Sequence, residues 1–155
     1  MSKTTDNLKA AFAGESQANR KYLAFAKKAD DEGLPQVAKL FRAAAEAETI
    51  HAHAHLRLLK GIGSTAENLK EAVAGETYEF KSMYPAMIDE AKAEGENAAE
   101  RYFGFANKAE ECHANLYAKA AQEMDKLASV DYYVCSVCGH IHEGQPTDKC
   151  PICNA

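Results

Sequence analysis

A chain of 155 residues has room for one ordinary domain and a small appendage, and a helical bundle of that length can bury a core. A net charge of -5 sets aside nucleic acid and anionic lipid as partners, because both reward clustered Lys and Arg. No stretch approaches the roughly 20 apolar residues of a membrane span, and the polar residues 1–6 lack the apolar run of an export signal, so a cytoplasmic protein is expected.

Ala, Glu and Lys abound, and Gly and Pro are sparse before the C-terminal segment, which points to long helices. The first helix carries Leu8, Phe12, Glu15, Asn19, Tyr22 and Ala26 at three-to-four spacing, and the run Asp30–Pro35 breaks it. The second carries Val37, Phe41, Ala44, Glu48, His51, His55 and Leu58 on one stripe and ends at Gly61–Thr65. A third is expected over residues 65–93 and a fourth over 96–129. The segment from Asn7 to Glu15 recurs from Asn68 to Glu76 at an offset of 61, while Gly33, Phe41 and Glu48-x-x-His51 recur as Gly95, Phe103 and Glu110-x-x-His113 at an offset of 62. The four helices are therefore two copies of a helix pair.

In each copy a carboxylate interrupts the apolar stripe. One such Glu is readily a solvated stripe-edge residue; Glu15, Glu48, Glu76 and Glu110 at equivalent places in two repeats are not, because Glu is rarely buried unless paired or metal-bound. The three-residue spacing puts His51 one turn from Glu48, and His113 one turn from Glu110. Carboxylates with two imidazoles suit iron first and manganese second. Glu79 stands one turn beyond Glu76 where the first copy has Ala18, an extra carboxylate that favours the oxidised, more highly charged metal pair. The offset grows by one between Glu76 and Tyr84, the partner of Tyr22, so one residue was inserted inside the third helix; a bulge or kink is expected between Glu76 and Pro85.

Beyond residue 131 lie Cys135-x-x-Cys138 and Cys150-x-x-Cys153. Four thiolates fit zinc or iron, zinc being the commoner structural choice, and metal ligation must supply most of the folding free energy of so short a module. Of the remaining candidates, His55 is read as capped or solvated, His53 as exposed, Cys112 as a small buried apolar residue, and His140 and His142 as surface residues.

Glu15, Glu48-x-x-His51, Glu76-x-x-Glu79 and Glu110-x-x-His113, followed by the two cysteine pairs, resemble the rubrerythrin family over almost the whole chain. The resemblance implies an all-α, ferritin-like four-helix bundle over residues 1–130, followed by a small rubredoxin-like knuckle module over 131–155. It implies a di-iron centre held by Glu15, Glu48, His51, Glu76, Glu79, Glu110 and His113, and one iron held by Cys135, Cys138, Cys150 and Cys153. Glu79 is then the carboxylate that sets the family apart from ferritin-like ferroxidases, iron near His51 exchanges that ligand for a carboxylate on oxidation, and Tyr22 and Tyr84 lie beside the carboxylates, although both also suit an apolar core. The implied activity is that of an oxidoreductase, a non-haem peroxidase reducing hydrogen peroxide to water with electrons relayed through the four-cysteine iron. The donor would be a rubredoxin or an NAD(P)H-dependent reductase, since the chain has no Gly-x-Gly-x-x-Gly motif. Ferroxidase activity, or a bundle carrying a structural zinc ribbon, are the rival readings.

Chain geometry adds one expectation. Parallel second and third helices that meet at Glu48 and Glu76 have their joined ends about 30 Å apart, whereas five extended residues reach about 17 Å. A homodimer that exchanges helix pairs is expected, each di-iron site drawing on two chains.

Overall fold

The computed structural model describes residues 2–155. The chain forms two compact units, residues 1–63 and 64–155.

The first unit is a pair of packed helices, α1 (Lys3–Asp31) and α2 (Pro35–Leu58). Ser2 caps α1, its hydroxyl accepting from the Thr5 N–H at 3.2 Å, and Pro35 opens α2 where no helical N–H is needed. Between them Gly33 takes φ of 73°, a left-handed turn that lets Leu34 N–H reach the Ala29 carbonyl at 2.8 Å. The side chains shielded most completely are small, Ala26, Ala29, Ala38, Ala45 and Ala52. Asn19 ties the pair, its Nδ2 donating to the Ala45 carbonyl at 2.7 Å and to Thr49 Oγ1 at 2.8 Å.

The second unit opens with a capping box at Ser64: the Glu67 N–H donates to Ser64 Oγ at 3.3 Å, and the Ser64 N–H donates to Glu67 Oε2 at 2.7 Å. The rod that follows is α3 (Thr65–Tyr78), a π turn (Glu79–Met83) and α4 (Tyr84–Glu94). The inserted residue is thus absorbed where the repeat offset changes, and Pro85 sits in the first turn of α4. Gly95 ends the rod with φ of 74°, as Gly33 ends α1 in the first copy. The rod packs on α5 (Asn97–Glu123) around Ala91, Ala106, Ala109 and Ala114. The fourth helix is shorter than expected: Met124 adopts φ of 39°, a backbone state closed to an α-helix, and a 3₁₀ turn over Met124–Lys126 replaces the last two turns.

The C-terminal module is an antiparallel hairpin of β1 (Tyr132–Val134) and β2 (Ile141–Glu143), with Tyr133 opposite His142. Its two cysteine loops are near copies. The Gly139 N–H donates to the Cys135 carbonyl and the Asn154 N–H to the Cys150 carbonyl, both at 2.9 Å, with Gly139 and Asn154 left-handed. β2 rests on α5 within the same unit. Among the described residues no helix is long and apolar enough to cross a membrane.

Candidate metal centres

Each unit gathers its own share of the ligands. In the first, Glu15 from α1 meets Glu48 and His51 from α2, with one ligand atom from each within 4.8 Å of the others. His51 Nδ1 lies 2.9 Å from Glu48 Oε2, and the imidazole is more than half exposed. In the second, Glu76 from α3 meets Glu110 and His113 from α5 at the same closeness. His113 Nδ1 lies 2.6 Å from Glu110 Oε2 and 3.9 Å from Glu76 Oε2. The duplicated pattern read along the chain is therefore duplicated in space.

Carboxylates this close repel one another until a cation arrives. Burial, followed by a hydrogen bond and charge repulsion from Glu110, pushes Glu76 up to about 7. Glu79 opens the π turn and is also raised, by burial and then by the charge of Glu110, though it lies outside the tight Glu76, Glu110 and His113 group. The Tyr84 phenol is raised by burial and then by Glu110 and Glu79, so it stays protonated facing these carboxylates. Tyr22 packs with tilted rings against Phe25 and Phe41 at 6.3 and 6.2 Å, an aromatic cluster of the first unit.

The four cysteine sulfurs also lie within 4.8 Å of one another. Cys135 and Cys153 are 3.6 Å apart, Cys138 and Cys150 3.5 Å. A tetrahedron with metal–sulfur bonds of about 2.3 Å has edges of about 3.8 Å, so the cage fits one tetrahedral ion. The N–H groups of Cys138 and Val137 hold the Cys135 thiol down at about 6; burial opposes the same effect at Cys150, yet the N–H groups of Cys153 and Ile152 still bring it below its ordinary value. Thiolate is the form that binds metal, so Cys138, pushed up to about 12 by burial, gives up its proton only to the ion.

The two kinds of site meet through one imidazole. His113 Nε2 lies 3.0 Å from the Gly139 carbonyl, which only accepts, so Nε2 carries the proton and Nδ1 is left as the ligand atom facing Glu110. Gly139 follows Cys138 directly. Nothing in the sequence marks this carbonyl, because any residue supplies one.

Four expectations are corrected. Cys112 is no core residue: it is half-buried where β2 meets α5, and its Sγ donates to the Ile141 carbonyl at 3.4 Å. His140 and His142 are half-buried rather than surface residues, their rings 6.4 Å apart. His55 is neither capped nor solvated at Nδ1, which is buried without a hydrogen-bond partner. His53 is exposed, as expected.

The helix order and the paired Glu and Glu-x-x-His clusters define a ferritin-like di-iron carboxylate protein with a four-cysteine iron module. Comparison with known proteins narrows the class. The family model described as rubrerythrin matches residues 6–121, and that of the rubrerythrin rubredoxin-like domain matches residues 133–155. Nigerythrin of Nitratidesulfovibrio vulgaris is 40% identical over 97% of this chain and 81% of its own. Rubrerythrin-2 of Clostridium acetobutylicum is 36% identical over 97% and 91%. The solved structure of fully reduced, all-ferrous nigerythrin aligns with 99% of this chain and 83% of its own at 39% identity and a TM-score of 0.59. The chain belongs to the rubrerythrin family of di-iron oxidoreductases.

Proposed function

We propose that the protein is a non-haem di-iron peroxidase that reduces hydrogen peroxide to water in the cytoplasm as a defence against oxidative stress. Residues 1–130 form its di-iron part and residues 131–155 its electron-accepting part. A rubredoxin or an NAD(P)H-dependent reductase supplies the electrons. When bound, the iron pair gives two electrons to peroxide, and the four-thiolate iron carries electrons singly.

The observation that carries this reading is the hydrogen bond from His113 Nε2–H to the Gly139 carbonyl. One peptide unit and one hydrogen bond join a thiolate ligand, Cys138, to an imidazole of the carboxylate cluster, a short route between the two sites. Cys138 and Gly139 thus form the inlet, and the same bond sets the tautomer of His113. Glu15, Glu48, His51, Glu76, Glu110 and His113 hold the iron pair. Glu79, raised by burial and by Glu110, would supply the extra carboxylate that an oxidised, more highly charged pair calls for. Tyr84 holds its proton beside the carboxylates, and Tyr22 is its counterpart in the other copy.

The working unit is a homodimer that exchanges helix pairs. A ferritin-like bundle has one long crossover, and here only Leu59–Ser64 join α2 to α3. Leu59, Lys60 and Gly61 are folded back on α2 by N–H bonds to the His55, Arg57 and Leu56 carbonyls, which leaves Ile62–Ser64 to extend. Three residues reach about 10 Å, against about 30 Å for the crossover. Large apolar side chains of the first unit, Leu40, Ile50 and Leu58, are each more than half exposed and call for cover.

Exchanging zinc for iron in the knuckle tests the relay. Zinc cannot change valence, so the exchanged protein is expected to consume one equivalent of peroxide per prereduced di-iron pair and then stop, while the iron form continues with reductant present. Equal steady turnover by both forms would refute the relay.

A further inference from the structure

The knuckle is seated on α5 by three contacts in one register. Gly139 accepts from His113 Nε2 at 3.0 Å, Ile141 accepts from Cys112 Sγ at 3.4 Å, and Glu143 binds Lys119 Nζ through both carboxylate oxygens at 2.9 and 3.0 Å. The knuckle members alternate along the approach to β2 and on β2 itself, while Cys112 and Lys119 are seven residues apart, two turns along one face of α5. Of the three, a thiol is a weak donor and the imidazole contact is a single bond. The ion pair is the one charge-assisted contact, and it lies at the far end of β2 from Gly139, where it resists rotation about the His113 bond.

We infer that Lys119 and Glu143 are positioning residues for electron entry: their ion pair fixes β2 on α5 and so holds the Gly139 carbonyl on His113. This rests on the reading of the knuckle as the electron inlet. Neither side chain touches a metal ligand. The pair is partly exposed, with side-chain exposures of 42% and 30%, so its loss acts on the docking equilibrium rather than on global stability.

Cys112 reports that docking without any redox step. In the fully metal-loaded protein the other four cysteines are ligated, and Cys112 under Ile141 is the thiol that opens when the knuckle lifts. Lys119→Glu and Glu143→Lys are each expected to speed alkylation of Cys112 by iodoacetamide roughly five- to tenfold, the size of an ion pair replaced by repulsion. In stopped-flow mixing with peroxide, each is expected to slow oxidation of the thiolate-bound iron by a similar factor, with the carboxylate-site spectrum unchanged. The double variant Lys119→Glu/Glu143→Lys, which restores the pair with its signs reversed, is expected to return both rates to those of the parent. Unchanged alkylation in the single variants would overturn the lock. Faster alkylation with an unchanged electron-transfer rate would overturn positioning, and so would a double variant that fails to recover either rate. Failure of the inlet reading is separately visible, since thiolate iron in the parent protein would then not be oxidised by peroxide at all.

Discussion

Glu76 and Glu110 share a small space with His113, and without a cation the two carboxylates cannot both be charged cheaply. Glu76 accordingly holds its proton up to about 7, far above the range of an unfolded carboxyl. The folded, metal-free chain therefore binds more protons than the unfolded chain between about pH 4.5 and 7, and its stability falls as pH rises through that window. Denaturant unfolding of metal-free protein from pH 5 to 8 should show this decline, and Glu76→Gln should flatten it. A metal-free protein that grows more stable over the same range would show that the carboxylates are not in contact. Iron loading in that window releases the proton. The Glu and His side chains that gather in each unit were legible in the sequence because they stand out on an apolar stripe. Their second partners were not: the Gly139 carbonyl and the Lys119–Glu143 pair are brought to α5 from residues more than 20 positions away, which no periodicity announces.

Among elements, the rod from Thr65 to Glu94 differs most from its counterpart α1. The extra residue sits in the π turn Glu79–Met83, and its presence was legible because the repeat offset changes between Glu76 and Tyr84. Burial at the turn, and then the charge of Glu110, raises the pKa of both Glu79 and Tyr84. Deleting Lys81 removes the surplus residue and turns everything after it by about 100° relative to Glu76. Circular dichroism should show the helix content kept, while metal analysis shows the carboxylate iron lost. Full iron loading in the deletion variant would make the turn a packing accident. The end of α5 was not legible: nothing in residues 124–129 is a strong helix breaker, and the stop comes from Met124 turning left-handed before the knuckle. Cys112 was misread for a related reason, since a lone thiol on a helix suits a core and the module that covers it lies beyond the helix.

For the whole molecule, the consequence of a duplicated helix pair is that each copy carries half a metal site. A connection with three extended residues falls short of the crossover of a ferritin-like bundle, and in the proposed homodimer the two halves come from different chains. Mixed dimers test this. One chain carries Glu48→Ala with His51→Ala, the other Glu110→Ala with His113→Ala, and the two are co-purified through separate tags. Exchange of helix pairs predicts one intact carboxylate site per mixed dimer and iron loading that neither variant shows alone. Mixed dimers without carboxylate-bound iron would contradict it.

In the proposed cycle, peroxide draws electrons from the thiolate iron by way of the carboxylate site. Anaerobic stopped-flow of the fully reduced protein, mixed separately with hydrogen peroxide and with dioxygen, tests it most directly. The visible absorbance of ferric thiolate iron should return rapidly with peroxide and slowly with dioxygen, and Glu79→Ala should slow the peroxide reaction roughly 10- to 100-fold, as loss of a supporting ligand does. Rapid oxidation by dioxygen with none by peroxide would contradict the account.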